Sequence, residues 1–184
     1  MKFYNKVEKF VEESCTKGMI KHLKRTAYWI KQLKSNADEA LLIAAVSHDM
    51  ERAFRKKDAP EILRATKFGF RDREFLKYHQ EEGARIVGEL LEKIGADAKL
   101  ILRVKMLISK HELGGNDDQN ILKDADSISF FENNMKRFLI RTDVSKTMIK
   151  EKFEWMYDRI TSSKAKRIVE KWYNEAINEL ENLD

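Results

Sequence analysis

The stretch that decides the fold is LLIAAVSHDMERAF, residues 41–54. Its first part, Leu41 to Val46, is apolar throughout, with small residues at Ala44 and Ala45, a pattern that suits a helix buried inside a bundle. Its second part sets His48 and Asp49 side by side immediately after that run. Taking a polar group out of water without a partner costs about 2 to 7 kcal/mol. The pair must therefore be satisfied by hydrogen bonds or by a bound metal ion.

Outward from this stretch the chain reads as helices joined by short connections. One proline and seven glycines punctuate 184 residues, and β-branched alternation is scarce, so an all-α fold follows. Periodicity and breakers predict helices over 2–14, 17–34, 37–54, 72–94, 96–112, 119–134, 136–160 and 162–182. Asp38 and Glu39 suit a helix N-terminus through the dipole. Gly95 closes the fourth helix, and GGNDD at 114–118 is the clearest loop. Pro60 and Gly69 mark 55–71 as the long connection or a lid. The length fits one domain over 1–184, large enough for a real core. The last stretch, from Met148 to Leu180, carries Trp155, Met156, Ile160, Trp172 and Tyr173 at helical spacing and breaks at Ser162 and Ser163. It reads as a helical hairpin that packs on the body or forms a homodimer surface.

The charge balance excludes some classes of function. Thirty-six basic residues are nearly matched by 31 acidic ones, leaving a formal charge of +5, which with no recognised nucleic-acid motif argues against a nucleic-acid partner. Residues 55–73 hold a local basic excess that would attract a phosphate-bearing ligand. No apolar run approaches the roughly 20 residues that span a bilayer, so no membrane role is expected. The single cysteine, Cys15, cannot form an internal disulfide, and a cytoplasmic location is expected.

Four histidines, His22, His48, His79 and His111, each share a helical stripe with apolar neighbours. Met19 and Thr26 flank His22; Leu41 and Ala44 precede His48; Phe75 and Gly83 bracket His79; Val104, Leu107 and Ile108 precede His111. At i, i+3, i+4 and i+7 spacing all four imidazoles face the interior. Asp126 does likewise, between Leu122 and Phe130. Each would need its own buried partner, and the simplest shared partner is a cation; imidazole and carboxylate suit Mn, Fe, Co, Ni or Zn. Ala44, Ala45 and Gly83 would let helices approach closely around it.

These residues resemble the HD-domain superfamily of metal-dependent phosphohydrolases, whose pattern is a histidine, a later His-Asp pair on a helix, and a distant aspartate. Here it reads KHLKRTAYW with His22, AAVSHDMER with His48 and Asp49, and LKDADSISF with Asp126. LKYHQEEGARIVGELL and LISKHELGG are similar to the segments that supply two further histidines in two-metal members, which maps His79 and His111 there. The resemblance covers 17–134 as an HD-type helical core and leaves 135–184 to the hairpin. It implies one or two divalent ions, Mg included, with His22, His48, Asp49 and Asp126 on one and Asp49, His79 and His111 on the other. It also implies hydrolysis of a small phosphate ester, such as a nucleotide, by a metal-activated water. Asp49 would bridge the metals and take part in catalysis with Arg52, which stands where the family often has Lys or Arg. Arg25, Lys110 and Lys123 are the remaining candidates to bind the substrate anion.

Other members of the superfamily point elsewhere. Cyclic-dinucleotide phosphodiesterases carry a paired histidine and a Gly-Tyr-Pro motif, where this chain has Lys110 before His111 and ELGGND after Lys110 and His111, which disfavours that activity. Di-iron oxygenases use the same six ligands and are a second expectation. A non-catalytic helical binding domain is the third. In the DAD triplet, residues two apart point about 200° apart on a helix, so one carboxylate at most faces the centre. Ala125-Asp126 aligns with the family's pattern, and Asp124 is left to a supporting role or to solvent.

Overall fold

The structure is a computed structural model that describes residues 1–55 and 69–182. Within them lie ten α-helices, a 3-10 turn at Gly69–Arg71 and no strand. The helices are α1 Lys2–Ser14, α2 Lys17–Leu33, α3 Glu39–Ser47, α4 Glu51–Phe54, α5 Arg73–Lys93, α6 Ala98–Ile108, α7 Asp117–Asn133, α8 Met135–Leu139, α9 Lys146–Asp158 and α10 Ser163–Glu181. The all-α class read from the sequence is the class observed. None of these helices is long and apolar enough to cross a membrane. Most of the basic 55–73 segment, and with it the proposed lid, falls on residues 56–68, outside the described residues.

Side-chain caps set where the helices start. Asp38 Oδ1 accepts from Leu41 N at 2.9 Å, Asp97 Oδ1 accepts from Leu100 N at 2.8 Å, and Asp72 Oδ1 accepts from Glu74 N and Phe75 N. Asn116 and Gln119 form a full capping box at the start of α7. Each satisfies amide groups that a helix leaves without partners in its first turn.

Helix α3 is the axis of the fold. Residues 40–47 are all buried, and α1, α2, α6 and α7 pack around it. It belongs to a first apolar cluster that includes Val7, Leu23, Ile30, Val87, Leu107 and Leu122. A second cluster, with Ile128, Phe131, Phe153, Val169 and Leu180, joins α7 to the C-terminal hairpin of α9 and α10. Helix α7 serves both clusters: Leu122 and Ala125 face the first, Ile128, Phe130 and Phe131 the second.

Three predicted helices are shorter than periodicity suggested. The 37–54 helix stops at Ser47 and resumes as α4, with His48, Asp49 and Met50 in a turn. The 96–112 helix stops at Ile108, leaving His111 in a turn as well. In both places a histidine ring takes a carbonyl of the last helical turn, which ends the helix while keeping the apolar stripe that made it look continuous. The 136–160 helix is divided into α8 and α9 at 140–145, where Arg141 turns back onto Asp143 and Ser145 caps α9.

Candidate metal centre

The four imidazoles are held in one orientation by four different partners. His48 Nδ1 lies 3.0 Å from the Ala45 carbonyl, and His111 Nδ1 lies 2.8 Å from that of Ile108. A carbonyl can only accept, so both Nδ1 atoms carry the proton. His79 Nδ1 lies 2.8 Å from Glu51 Oε2. His22 Nδ1 lies 2.9 Å from Ser129 Oγ, whose own proton is donated to the His22 carbonyl at 2.8 Å, so Ser129 accepts here. With every Nδ1–H committed, every Nε2 points to the interior, where it offers a lone pair once any proton it holds is displaced, the arrangement seen in metal-ligating histidines.

Those lone pairs meet carboxylates. His22 Nε2 is 3.0 Å and His48 Nε2 is 3.4 Å from Asp126 Oδ1. His79 Nε2 is 2.9 Å and His111 Nε2 3.8 Å from Asp49 Oδ1, and both imidazoles also approach Glu112 Oε1. Two acceptors 3 Å apart need a positive charge between them, a proton or a metal ion. Among the described residues, His48 Nε2 and His111 Nε2 are fully buried and have no hydrogen-bond partner, and such orphaned atoms call for an explanation in a folded protein. Three sets of ligand atoms lie within 4.8 Å of one another: His22, His48 and Asp126; His48, Asp49 and His111; His79, His111 and Glu112. Nitrogen and carboxylate donors at these separations fit a divalent cation of the Mn, Fe, Co, Ni or Zn type.

Electrostatics follow from the same geometry. Burial opposes charge on His48, but the carboxylates of Asp126 and Asp49 outweigh it and push the pKa up to about 9. Burial, helped by His48 and His79, pushes His111 down to about 4 despite Glu112. Burial also opposes ionisation of Asp49, yet Arg52 and His79 hold its carboxyl well below the usual range. Protons bound among these groups would balance the carboxylates, and a cation taking their place would release them.

A pair of carboxylates is shared with Arg159, which enters from the end of α9. Its side chain is 6% exposed. Its guanidinium bonds Glu112 and Asp126, and its Nε donates to Ser127 Oγ at 2.8 Å. Next to it Asp124 accepts from Thr161 N and Ser162 N, both at 2.8 Å, so this carboxylate, away from the ligand set, fastens the hairpin to α7. Sequence reading missed Glu51, Glu112 and Arg159. The only hint for the first two was an acidic residue close after a candidate histidine, in HDMER and KHELGG; nothing flagged Arg159.

The expected anion-binding cations separate. Arg52 lines the cavity beside the centre with its Nε 2.8 Å from Asp49 Oδ2. Arg25 does not line it: its guanidinium is taken by Glu132 at 2.8 and 2.7 Å and covers the Tyr28 ring. Lys110 is exposed on the 109–113 turn. Lys123 is buried against the 114–115 loop, where a Cβ on Gly114 would come within 2.9 Å of its Nζ. Of the four, only Arg52 is among the residues that line this cavity.

The Arg25–Glu132 pair instead joins α2 to α7. Burial opposes charge on Glu132, but Arg25 and the Trp29 indole hold its pKa below the usual value. A lowered folded-state pKa stabilises above the unfolded value and loses that contribution as pH falls. Glu132→Gln is therefore expected to cost about 1 kcal/mol near neutral pH, as a partly exposed pair would. The deficit should shrink as pH falls below about 4.3, the value in an unfolded chain, and urea denaturation at several pH values measures it.

The cavity next to the cage has a volume of about 440 Å³ and is lined by His22, Asp49, Glu112 and Asp126 on the side of the centre. Phe70, Phe130, Phe138, Met148 and Ile149 form much of the rest. Fold and site together define an all-helical protein with buried His, Asp and Glu clusters able to hold metal. The chain belongs to the family described as "Domain of unknown function (DUF4202)", which matches residues 6–177 and so takes in both the cage and the hairpin that supplies Arg159. No curated protein and no solved structure matches it.

Proposed function

We propose that this protein is a metal-dependent phosphohydrolase of the HD type, acting on a nucleotide or another small phosphate ester. The observation that carries the reading is the convergence of four Nε2 lone pairs, two of them orphaned, on Asp49, Glu112 and Asp126 at the wall of a cavity of substrate size. The proposed ligands are His22, His48, Asp49, His79, His111 and Asp126, with Glu112 added. A bound divalent ion would supply Lewis acidity toward a phosphoryl oxygen and a water acidic enough to lose a proton near neutral pH.

The chain's own groups do the remaining work. Glu51, Ser129 and the Ala45 and Ile108 carbonyls fix the tautomer and aim of the imidazoles, so no reorganisation is needed when the site fills. Arg52, 47% exposed at its side chain, holds Asp49 through Nε and leaves its remaining N–H groups toward the cavity, where a phosphoryl oxygen would take them. The apolar wall excludes water from the rest of the substrate.

The test is metal analysis of protein purified without chelator, followed by a phosphate-release screen over nucleotides and sugar phosphates with Mn, Co or Mg, without oxygen. At least one ion per chain and metal-dependent phosphate release are expected. Oxygen consumption by the iron form with no phosphate released from any substrate would replace this reading with the di-iron oxygenase. A chain that retains no metal would leave a helical binding domain.

A further inference from the structure

The cavity beside the cage holds a cation of a different kind. Lys152, on α9, lines the same cavity as Asp49, Glu112 and Asp126. Its Nζ lies 4.2 Å from the centre of the Trp155 ring, 5.2 Å from Phe70 and 5.7 Å from Phe130. Rings attract an ammonium through their quadrupoles and fix its position without neutralising it. The other cations of the cavity are engaged by carboxylates: Arg52 by Asp49, Arg55 by Glu51, Arg141 by Asp143. Among the described residues Lys152 has no carboxylate within ion-pair distance and no hydrogen-bond acceptor.

An ammonium that is half-buried, caged by three rings and, among the described residues, without an ion-pair partner is costly unless an anion arrives. The surroundings say the same: burial, together with Arg159 and Arg52, outweighs Glu112 and Asp126 and lowers the Lys152 pKa to about 7. An anion entering the cavity would supply the missing charge.

We propose that Lys152 binds the anionic head of the substrate, its aromatic cage holding the ammonium for a phosphoryl oxygen that enters the same cavity beside the metal cage. This role rests on the phosphohydrolase reading and extends it to the C-terminal hairpin. The hairpin is thereby part of the substrate site, and chain beyond the 17–134 core decides what binds. As a compact donor of three N–H groups, lysine suits a phosphate that must turn between ground and transition states.

The experiment uses the full chain loaded with Mn. Inorganic phosphate binding is measured by calorimetry on the wild type, Lys152→Met and Lys152→Arg, with metal content and helical circular dichroism recorded for each. Lys152→Met is expected to keep its metal and lose phosphate affinity by about 10- to 100-fold, the range of a charge-assisted hydrogen bond, while Lys152→Arg keeps most of it. If Lys152→Met loads metal and binds phosphate as the wild type does, the role of Lys152 is overturned and the phosphohydrolase reading stands. If the loaded wild type binds no phosphate and releases none from any substrate, both fall. Should Lys152→Met misfold, Lys152→Arg decides: a loss of affinity as large as that expected for Met, with metal intact, overturns the role of the charge.

Discussion

Asp49→Ala is expected to lose metal and phosphate release together while keeping its helices. Asp49 shares a candidate ligand set with His48 and His111, and its carboxylate lies 2.9 Å from His79, 3.8 Å from His111 and 2.8 Å from Arg52. Altering a group that merely orients a ligand typically costs 10- to 100-fold in metal affinity, so losing a shared ligand should cost about 100-fold or more. A second readout does not depend on turnover. Wild-type protein at a metal concentration 100 times its dissociation constant should gain about 2.7 kcal/mol against unfolding, and Asp49→Ala should gain almost nothing at the same concentration. Thermal denaturation with and without Mn measures both. A variant that still loads metal and turns over substrate would remove Asp49 from the centre.

Replacement of Arg159 should have the largest effect on the apo protein. Arg159→Met would strip the partner from Glu112 and Asp126, both at most 6% exposed. Breaking a buried ion pair from one side costs about 3 to 5 kcal/mol, because a charge is left uncompensated. Despite burial, Arg159 and His111 hold Glu112 down at about 2, and Arg159 and His48 hold Asp126 low as well. Stabilisation from these lowered values is complete above the unfolded carboxylate range and is lost progressively as pH falls from there through the lowered folded values. The apo variant should therefore be far less stable than the wild type at pH 7, with the gap beginning to close only below about pH 4 and narrowing further as pH falls toward the Glu112 value of about 2. Saturating Mn should recover part of the loss at neutral pH, since a cation among the ligands offsets the same charges. Urea midpoints of both proteins at pH 7 with and without Mn, and without Mn at about pH 4 and about pH 2, check all three statements.

The sequence made the all-α class and the inward-facing histidines legible because both rest on spacing. His22, His48, His79 and His111 keep their apolar stripes, and periodicity detects a stripe whether or not the helix continues beneath it. For the same reason it overran the helix ends at Ser47 and Ile108, where an imidazole bonded to a carbonyl stops the helix without changing the pattern. The cations were harder. Arg25, Lys110 and Lys123 lie close to candidate ligands along the chain, but tertiary partners, Glu132 for Arg25 and the 114–115 loop for Lys123, turn them away. Arg159 and Lys152 reach the site from more than 25 residues beyond Asp126, through the packing of a hairpin whose docking no local signal encodes.

Helix α7 has a consequence for how the molecule comes apart. It contributes to both hydrophobic clusters, with Asp126 placed between the residues that serve each. Neither half can open far without straining the rod that carries this candidate ligand, so an ion seated there would act as a latch on two cores simultaneously, and its departure would loosen regions that share no direct contact with it.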